Sequence, residues 1–404
     1  MRIAIYHNLP PGGALRVLCD FVRRAAGEHE LDLYTVDLGR FDGFSYARGR
    51  AEQHDLTPHV ARTFRYPVLR PAASRVMALG PGWQVTGPGW LWRVERRIAG
   101  DIDARSYDVV LVCSCRLTHS PSLLQHLRTP SLYYMQEPRR RTFEVDYQPV
   151  DQSAGVARKA VAGGIERIVR RADHGAVHGA TRLATNSCYS AEYIQRSYGR
   201  DAEVCYLGVE TEVFRLDGGV GARRPSVMSV GALDASKGHA LVVEALALLP
   251  EASRPALDVV YERCDDRYRS DVQTLATDTG VELRLHSGIS DTELAGMYAT
   301  ASATAVGARL EPFGLVALES LACGTPVVAV REAGLRETVD HGVNGYLVPR
   351  SPADMADGLT RILAGDLHRT PEQLRATVVP KWSAEGATKR MLEQLGATID
   401  EHRR

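Results

Sequence analysis

Lysine is nearly missing from this chain. Four of its 49 basic residues are lysines, at 159, 237, 381 and 389, and the others are arginines. That skew follows GC-rich coding and points to a GC-rich bacterial source. Net charge is missing too, because 49 acidic residues balance the basic ones, so no global field selects nucleic acid or an anionic surface. The balance hides an asymmetry: residues 1–215 hold 29 Lys/Arg against 23 Asp/Glu, and the remainder 20 against 26. An anionic partner or membrane surface would therefore be met by the first half. Seven cysteines are scattered without a C-x-x-C or a His/Cys metal spacing, which leaves no disulfide framework or zinc site to read. Reduced cytosol is the simpler setting. Cys113 and Cys115, two apart on one strand, are expected to point the same way into a core. No apolar run reaches the ~18 residues of a membrane span, and the N-terminal run stops after five residues, too early for a signal peptide. No G-x-G-x-x-G follows the first strand, and no solenoid period appears.

What is present concentrates between Arg309 and Tyr346. Glu311 and Glu319 are separated by seven residues, and Pro312-Phe313-Gly314 follows the first. Glu311 to Gly314 reads as a loop and Leu315 to Ala322 as a short helix stopped by Gly324 in left-handed geometry. Thr325 to Val330 reads as a buried parallel strand. A glycine-bearing loop entering a helix leaves N–H groups free at the positive end of a dipole, here near Phe313, Gly314, Leu315 and Val316, and that suits a phosphate. Glu319, on the helix wall, can accept from vicinal sugar hydroxyls. Glu311 would stand beside whatever the phosphate carries. The bland alternative is a buried helix with one N-terminal and one solvated glutamate. The arrangement reads as a nucleotide-sugar site.

Embedded in EPFGLVALESLACGTPVVA, the Glu311-x7-Glu319 pair resembles the donor signature of the retaining family 4 glycosyltransferases of GT-B fold. The resemblance implies an α/β architecture of two doubly wound, Rossmann-like domains facing a central cleft. It places an acceptor-side domain at 1–215, a donor domain at 216–381 and a helix at 382–404 crossing back. It is near-continuous from about residue 172 to 385 and thin from 40 to 107.

Taken in order, Arg2 to His7 is a strand and Leu15 to Ala26 a helix. The turn between them holds Gly12 and Gly13, which match the family's first-loop Pro-x-Gly-Gly at donor phosphate or acceptor. Arg16 occupies a place often basic there. Residues 39–107, rich in Gly, Pro, Arg and Trp, resist assignment. Their arginines at 62, 65, 70 and 75 read as a solvated face or as one turned to an anionic membrane. His119 follows the strand 108–112, at the end where open α/β sheets place ligands. Gln136 and Glu137 stand where relatives carry a histidine near the transferring sugar. The arginines at 139–141 either are solvated or pair with acceptor charge. Leu216 to Pro225 reads as the linker. After the strand that ends at Gly231, relatives read Gly-Arg-Leu and then Lys-Gly, the Arg and Lys clamping the donor diphosphate. This chain has Gly231-Ala232-Leu233 and Lys237-Gly238. A lysine in an arginine-dominated chain argues for a compact point charge, and Ala232 removes half the clamp. Arg263, where relatives carry Gly-x-Gly, is the candidate substitute. A strand at 281–285 precedes a helix over 291–299 with Asp291 at its N-cap.

The resemblance thus implies transfer of a sugar, with retention, from a nucleotide-diphosphate donor to a hydroxyl of a sugar, lipid-linked or small-molecule acceptor. No cofactor or metal is implied, since the nucleotide sugar is a co-substrate. Lys237 and Glu311 carry the chemistry. The location is cytoplasmic, with peripheral contact at the inner membrane face as a variant, and no nucleic acid is involved. The rival readings are another enzyme of the same fold, such as an epimerase or phosphorylase, and a non-catalytic sugar-nucleotide sensor or subunit. Turnover of donor by the purified chain separates the last from the first.

Overall fold

Apolar, β-branched runs alternate with amphipathic helices along the chain, and the structure sorts them into two parallel sheets. The computed structural model describes residues 1–10, 12–37, 45–46, 55–67, 88–116, 118–139, 156–216 and 224–404. The first domain holds β1 (Arg2–Asn8), α1 (Gly13–Ala25), β2 (Glu30–Asp37), β3 (Ser45–Tyr46), β4 (Arg62–Pro67) and α2 (Pro88–Asp103). It continues through β5 (Val109–Cys115), β6 (Ser131–Tyr134), α3 (Val156–Gly179), β7 (Arg182–Thr185), α4 (Cys188–Tyr198) and β8 (Glu203–Val204). Its sheet runs β4-β2-β1-β5-β6-β7-β8.

The second domain opens with β9 (Arg224–Val230), α5 (His239–Ala247), β10 (Ala256–Tyr261), β11 (Arg263–Cys264) and α6 (Asp266–Thr279). There follow β12 (Leu283–Ser287), α7 (Asp291–Thr300), β13 (Ala301–Val306), α8 (Leu315–Ala322), β14 (Val327–Val330) and α9 (Leu335–Thr338). Then come β15 (Gly345–Val348), α10 (Pro352–Leu363), α11 (Pro371–Ala376), α12 (Val379–Trp382) and α13 (Ala384–His402). This sheet runs β12-β10-β9-β13-β14-β15. In each domain the strand order reverses once, between β1 and β5 and between β9 and β13. Ligands of open α/β sheets bind at the carboxyl ends of strands beside such a reversal. The two reversals feed one cleft.

Two crossings join the domains. Val209 donates to the Trp382 carbonyl at 2.7 Å and accepts from Ala384 at 2.9 Å, so the chain returns where it left, and α13 packs on α1. Arg375 grips the outgoing segment, donating to the carbonyls of Thr211, Phe214 and Ala322 at 2.7–2.9 Å. A smaller bridge pairs Ser45–Tyr46 with Arg263–Cys264 in antiparallel register.

Several sequence readings need correction. Asp291 is the first residue of α7, not its cap; Ser290 caps it, in a capping box with Glu293, because the box uses the Ser at the spacing that Glu293 dictates. The strand expected at 281–285 lies two residues later, over Leu283–Ser287. Cys113 and Cys115 are free and buried but serve opposite faces of the sheet, one in each core cluster. The register with β1 shifts between Tyr6 and Asn8, and such an irregularity moves the following side chain across the pleat. Within the stretch that resisted assignment, Trp90 and Trp92 lie on α2, and Arg62 pairs with buried Asp32 at 2.7 Å. Trp83, Arg70, Arg75, the arginines at 140 and 141, and linker residues 217–223 lie outside the described residues.

Arg375→Ala would strip three carbonyls of a charged donor, each such bond being worth about 1.5–3 kcal/mol net. The expected outcome is a melting temperature lowered by several degrees in a thermal scan, with an unchanged far-UV spectrum below the transition.

Candidate active site

The cleft is a cavity of about 610 Å³, within the range of small-ligand sites. Its walls are the turns after the central strands of both sheets. Every residue singled out from the sequence lies on it: Gly12, Gly13, Arg16, His119, Gln136 and Glu137 from the first domain, and Gly231, Lys237, Arg263, Glu311, Phe313, Gly314, Leu315, Val316 and Glu319 from the second.

Two helices begin at the cleft, and both begin on glycine. Gly12 caps α1 and Gly314, at φ 103°, caps α8; neither helix has a side-chain cap or an acidic residue in its first turn. The helices starting at 188, 266, 291, 352, 371 and 384 carry a Ser, Thr or Asp cap, whereas those starting at 239, 335 and 379 also lack one, the first of them on Gly238 directly after Lys237. A side-chain cap would occupy the N–H groups that an anion needs, so its omission at the Gly12 and Gly314 starts suits a phosphate. At Gly314 a Cβ would come within 2.8 Å of Leu335 Cδ2 and 2.9 Å of Thr338 Oγ1, so positive φ and close packing both demand glycine. The starts lie side by side, since a Cβ at Gly13 would stand 3.8 Å from Leu315 Cδ1.

Charge in the cleft is paired. Lys237 Nζ donates to Glu311 Oε2 at 2.7 Å, and its stem lies over Gly231, whose Cβ would meet Lys237 Cγ at 3.1 Å. Arg263 donates to Asp234 at 2.8 Å, and Asp234 also accepts from Ser236 just ahead of Lys237. The usual cost of burying Asp234 is outweighed by Ser236 and the Arg263 guanidinium, which hold its carboxyl below the ordinary range. Across the cleft, Arg16 bonds to Glu319, and to Asp291 at 3.4 Å. Glu319 is 1% exposed and also accepts from Tyr298 at 3.3 Å. Among the described residues, no three His, Cys, Asp or Glu side chains gather as a metal site would require.

The loop carrying Lys237 is held from below. His239, fully buried, joins Ser229 Oγ at 2.8 Å to the Ala232 carbonyl at 3.1 Å. Nε2 carries the proton, because the carbonyl can only accept. Burial pushes this imidazole down to about 4.

On the opposite wall His119 adopts a left-handed backbone at φ 68° in a tight hairpin on Cys115, and its Nε2 meets the Glu137 carbonyl. The Gln136 carbonyl accepts from Ser190 Oγ at 3.0 Å. Ser187, the cap of α4, donates to the Pro312 carbonyl at 2.6 Å, and the Glu337 carboxylate takes the N–H groups of Cys188 and Tyr189 at 2.9 and 3.0 Å. Sequence reasoning passed over Arg116, which lines the cleft, and Asp234, the partner of Arg263, and it left Arg139 unplaced among the arginines 139–141. Arg139 lines the cleft and pairs with Glu166 at 3.4 Å. Only the reversal of strand order marks Arg116 and Arg139, and it is invisible locally.

Residues 213–377 match the family described as "Glycosyl transferases group 1". A D-inositol 3-phosphate glycosyltransferase of Arthrobacter sp. (strain FB24) is 34% identical over 200 residues, 45% of this chain and 47% of that protein. Its counterpart in Thermomonospora curvata is 35% identical over 229 residues, 50% of this chain and 52% of the other. The matched stretch is thus about half the length of these curated relatives. Among solved structures, sucrose-phosphate synthase from Thermosynechococcus elongatus superposes with a TM-score of 0.73 at 20% identity, covering 98% of this chain and 99% of that one. Anabaena Alr3699/HepE, in complex with UDP and glucose, gives 0.70 at 18% identity, covering 98% and 100%. These likenesses carry the fold, GT-B, across the whole chain.

His239 supplies a pH test. Its folded value lies below the ordinary 6.5, so the unfolded chain binds the extra proton. Its contribution is complete above pH ~6.5 and is lost as pH falls towards 4. His239→Gln keeps one donor and one acceptor but cannot charge. It should cost about 1–2 kcal/mol at pH 7.5 and show a shallower loss of stability between pH 6.5 and 4 in denaturant titrations.

Proposed function

From residues 213–377, which match the glycosyl transferases group 1 family, and from a likeness of GT-B fold that covers 98% of the chain, we propose that this protein is a family 4 glycosyltransferase that transfers a sugar from a nucleotide-diphosphate donor to an acceptor hydroxyl with retention. The observation that carries the reading is the convergence, in one cleft, of two glycine-capped helix starts, the Lys237–Glu311 pair and the Glu319 carboxylate. The diphosphate sits at the N–H groups of Phe313 to Val316, the nucleoside ribose on Glu319 and the sugar beside Glu311.

In this reading the work is stabilisation of a leaving group. As the sugar–oxygen bond breaks, charge grows on the diphosphate, and Lys237 and the helix dipoles meet it in a cleft where water is partly excluded. The leaving phosphate helps deprotonate the acceptor on the same face, which gives retention. The first-domain wall, with Arg116, His119 and Arg139, favours an acceptor bearing an anionic group, and the relatives named for inositol 3-phosphate agree with that chemistry.

Incubation of the purified chain with a panel of nucleotide sugars and polyol or sugar-phosphate acceptors tests the function directly; no turnover of any donor would leave only the binding-subunit reading. Three variants dissect it. Glu319→Ala should weaken nucleoside diphosphate binding, and an unchanged dissociation constant would sink the ribose role. Glu311→Gln should lower turnover while nucleoside diphosphate binds normally. Lys237→Ala should cost on the order of 10²-fold in turnover, as other contacts to transition-state charge do, and Lys237→Arg should recover only part of it, since a planar fork replaces a compact ammonium poorly.

A further inference from the structure

Ala232 leaves the donor site short of a cation, and one arginine of the cleft is positioned to take its place from the other domain. Arg16 lies one turn into α1 and bonds to Glu319, one turn into α8; the two helix starts run in step. Glu319 is 1% exposed. Of its two partners, Tyr298 is fully buried and off the cleft lining, whereas Arg16 lines the cleft and its side chain is 14% exposed. Arg16 is therefore the group between Glu319 and the cavity. No sugar hydroxyl reaches that carboxylate while the guanidinium covers it. The same guanidinium also serves Asp291 and lies 5.5 Å over the Phe214 ring, so one cation is shared between two carboxylates. Arg263, the other candidate, is tied to Asp234, which Ser236 also holds.

We propose that Arg16 exchanges partners when the donor binds. The ribose diol displaces it from Glu319, and the released guanidinium turns back along α1 to the diphosphate at the two helix starts, supplying the second cation that Ala232 cannot. Side chains of a helix lean towards its N-terminus, which here is the Gly12–Gly13 turn. The exchange trades one carboxylate partner for a diphosphate and leaves Glu319 bonded to hydroxyls and Tyr298. Donor binding and the ionic tie between the domains thus exclude each other.

The inference rests on the donor-site assignment above, and calorimetric titration of the full chain with uridine and UDP, and with guanosine and GDP, separates the two. Wild-type protein should bind one diphosphate much more tightly than its nucleoside. Arg16→Ala should bind the nucleoside at least as tightly as wild type, because the cover over Glu319 is gone. It should nevertheless lose about tenfold or more of the diphosphate's advantage, as expected for a charge-assisted contact. Ala232→Arg added to Arg16→Ala should restore most of that advantage, which no purely structural role would allow. Arg16→Gln, which keeps a neutral tie to Glu319, gives the same reading should Arg16→Ala fold poorly. A diphosphate advantage that survives in both Arg16 variants overturns the inference and leaves the donor site standing. Wild-type protein that binds neither diphosphate overturns both.

Discussion

The structure depends on how the charged groups facing the cleft are matched to one another, because the strongest of them are held in ion pairs. Lys237 meets Glu311, Arg263 meets Asp234, and Arg16 meets Glu319 with Asp291. Partly buried charges left unpaired would cost several kcal/mol each, so the pairs stabilise the fold around the cleft. An incoming anion has to break some of them and is repaid by the same cations. The Arg16 and Tyr298 partners explain why Glu319 has almost no exposed surface.

Beside these ion pairs lies a seam of a different kind. There the start of α4 is docked on the second domain: Ser187 on the Pro312 carbonyl, two backbone N–H groups on Glu337, and the Tyr206 hydroxyl on the same carboxylate at 3.0 Å. Trp382 packs edge-on against Tyr206 and Phe313 with centroids 4.9 and 5.4 Å away, and those two rings lie tilted at 6.1 Å. Burial of three aromatic rings is not undone by a polar ligand, whereas a guanidinium can change carboxylates. The seam also adjoins Glu311 to Gly314, so the first domain helps to fix a loop that lines the cleft.

Local signals were legible in the sequence, and long-range partners were not. The bounds of α8 followed from its glycine entry and apolar interior, and Gly324 does turn left-handed, at φ 77°. The cap of α7 was misplaced by one residue because both Ser290 and Asp291 are good cap residues, and the reciprocal bond from Glu293 decided between them. The facing of Cys115 was lost to an irregularity of register that depends on β1, more than a hundred residues away. Arg16 was legible as a basic residue near the first glycines, yet its partner stands 303 positions along the chain. Nothing in a local window encodes such a pair. The same holds for Arg263, recognised as a cation and found committed to Asp234.

The loss of an arginine at position 232 is then less damaging than the family pattern suggests. Each uncapped helix start presents roughly half an elementary charge, and the α1 and α8 starts lie side by side, which brings about one positive charge to the cleft before any side chain is counted. Lys237 adds a full charge on the second domain. What an arginine at 232 would have added is a cation fixed in the same domain as the rest of the site, present whether or not the domains meet. A cation on α1 acts only where the first domain is in place, because α1 belongs to the opposite wall. Moving charge from position 232 to position 16 would therefore make stabilisation of the diphosphate conditional on the cleft being formed by both domains, the same condition under which an acceptor on the first-domain wall comes within reach of the sugar.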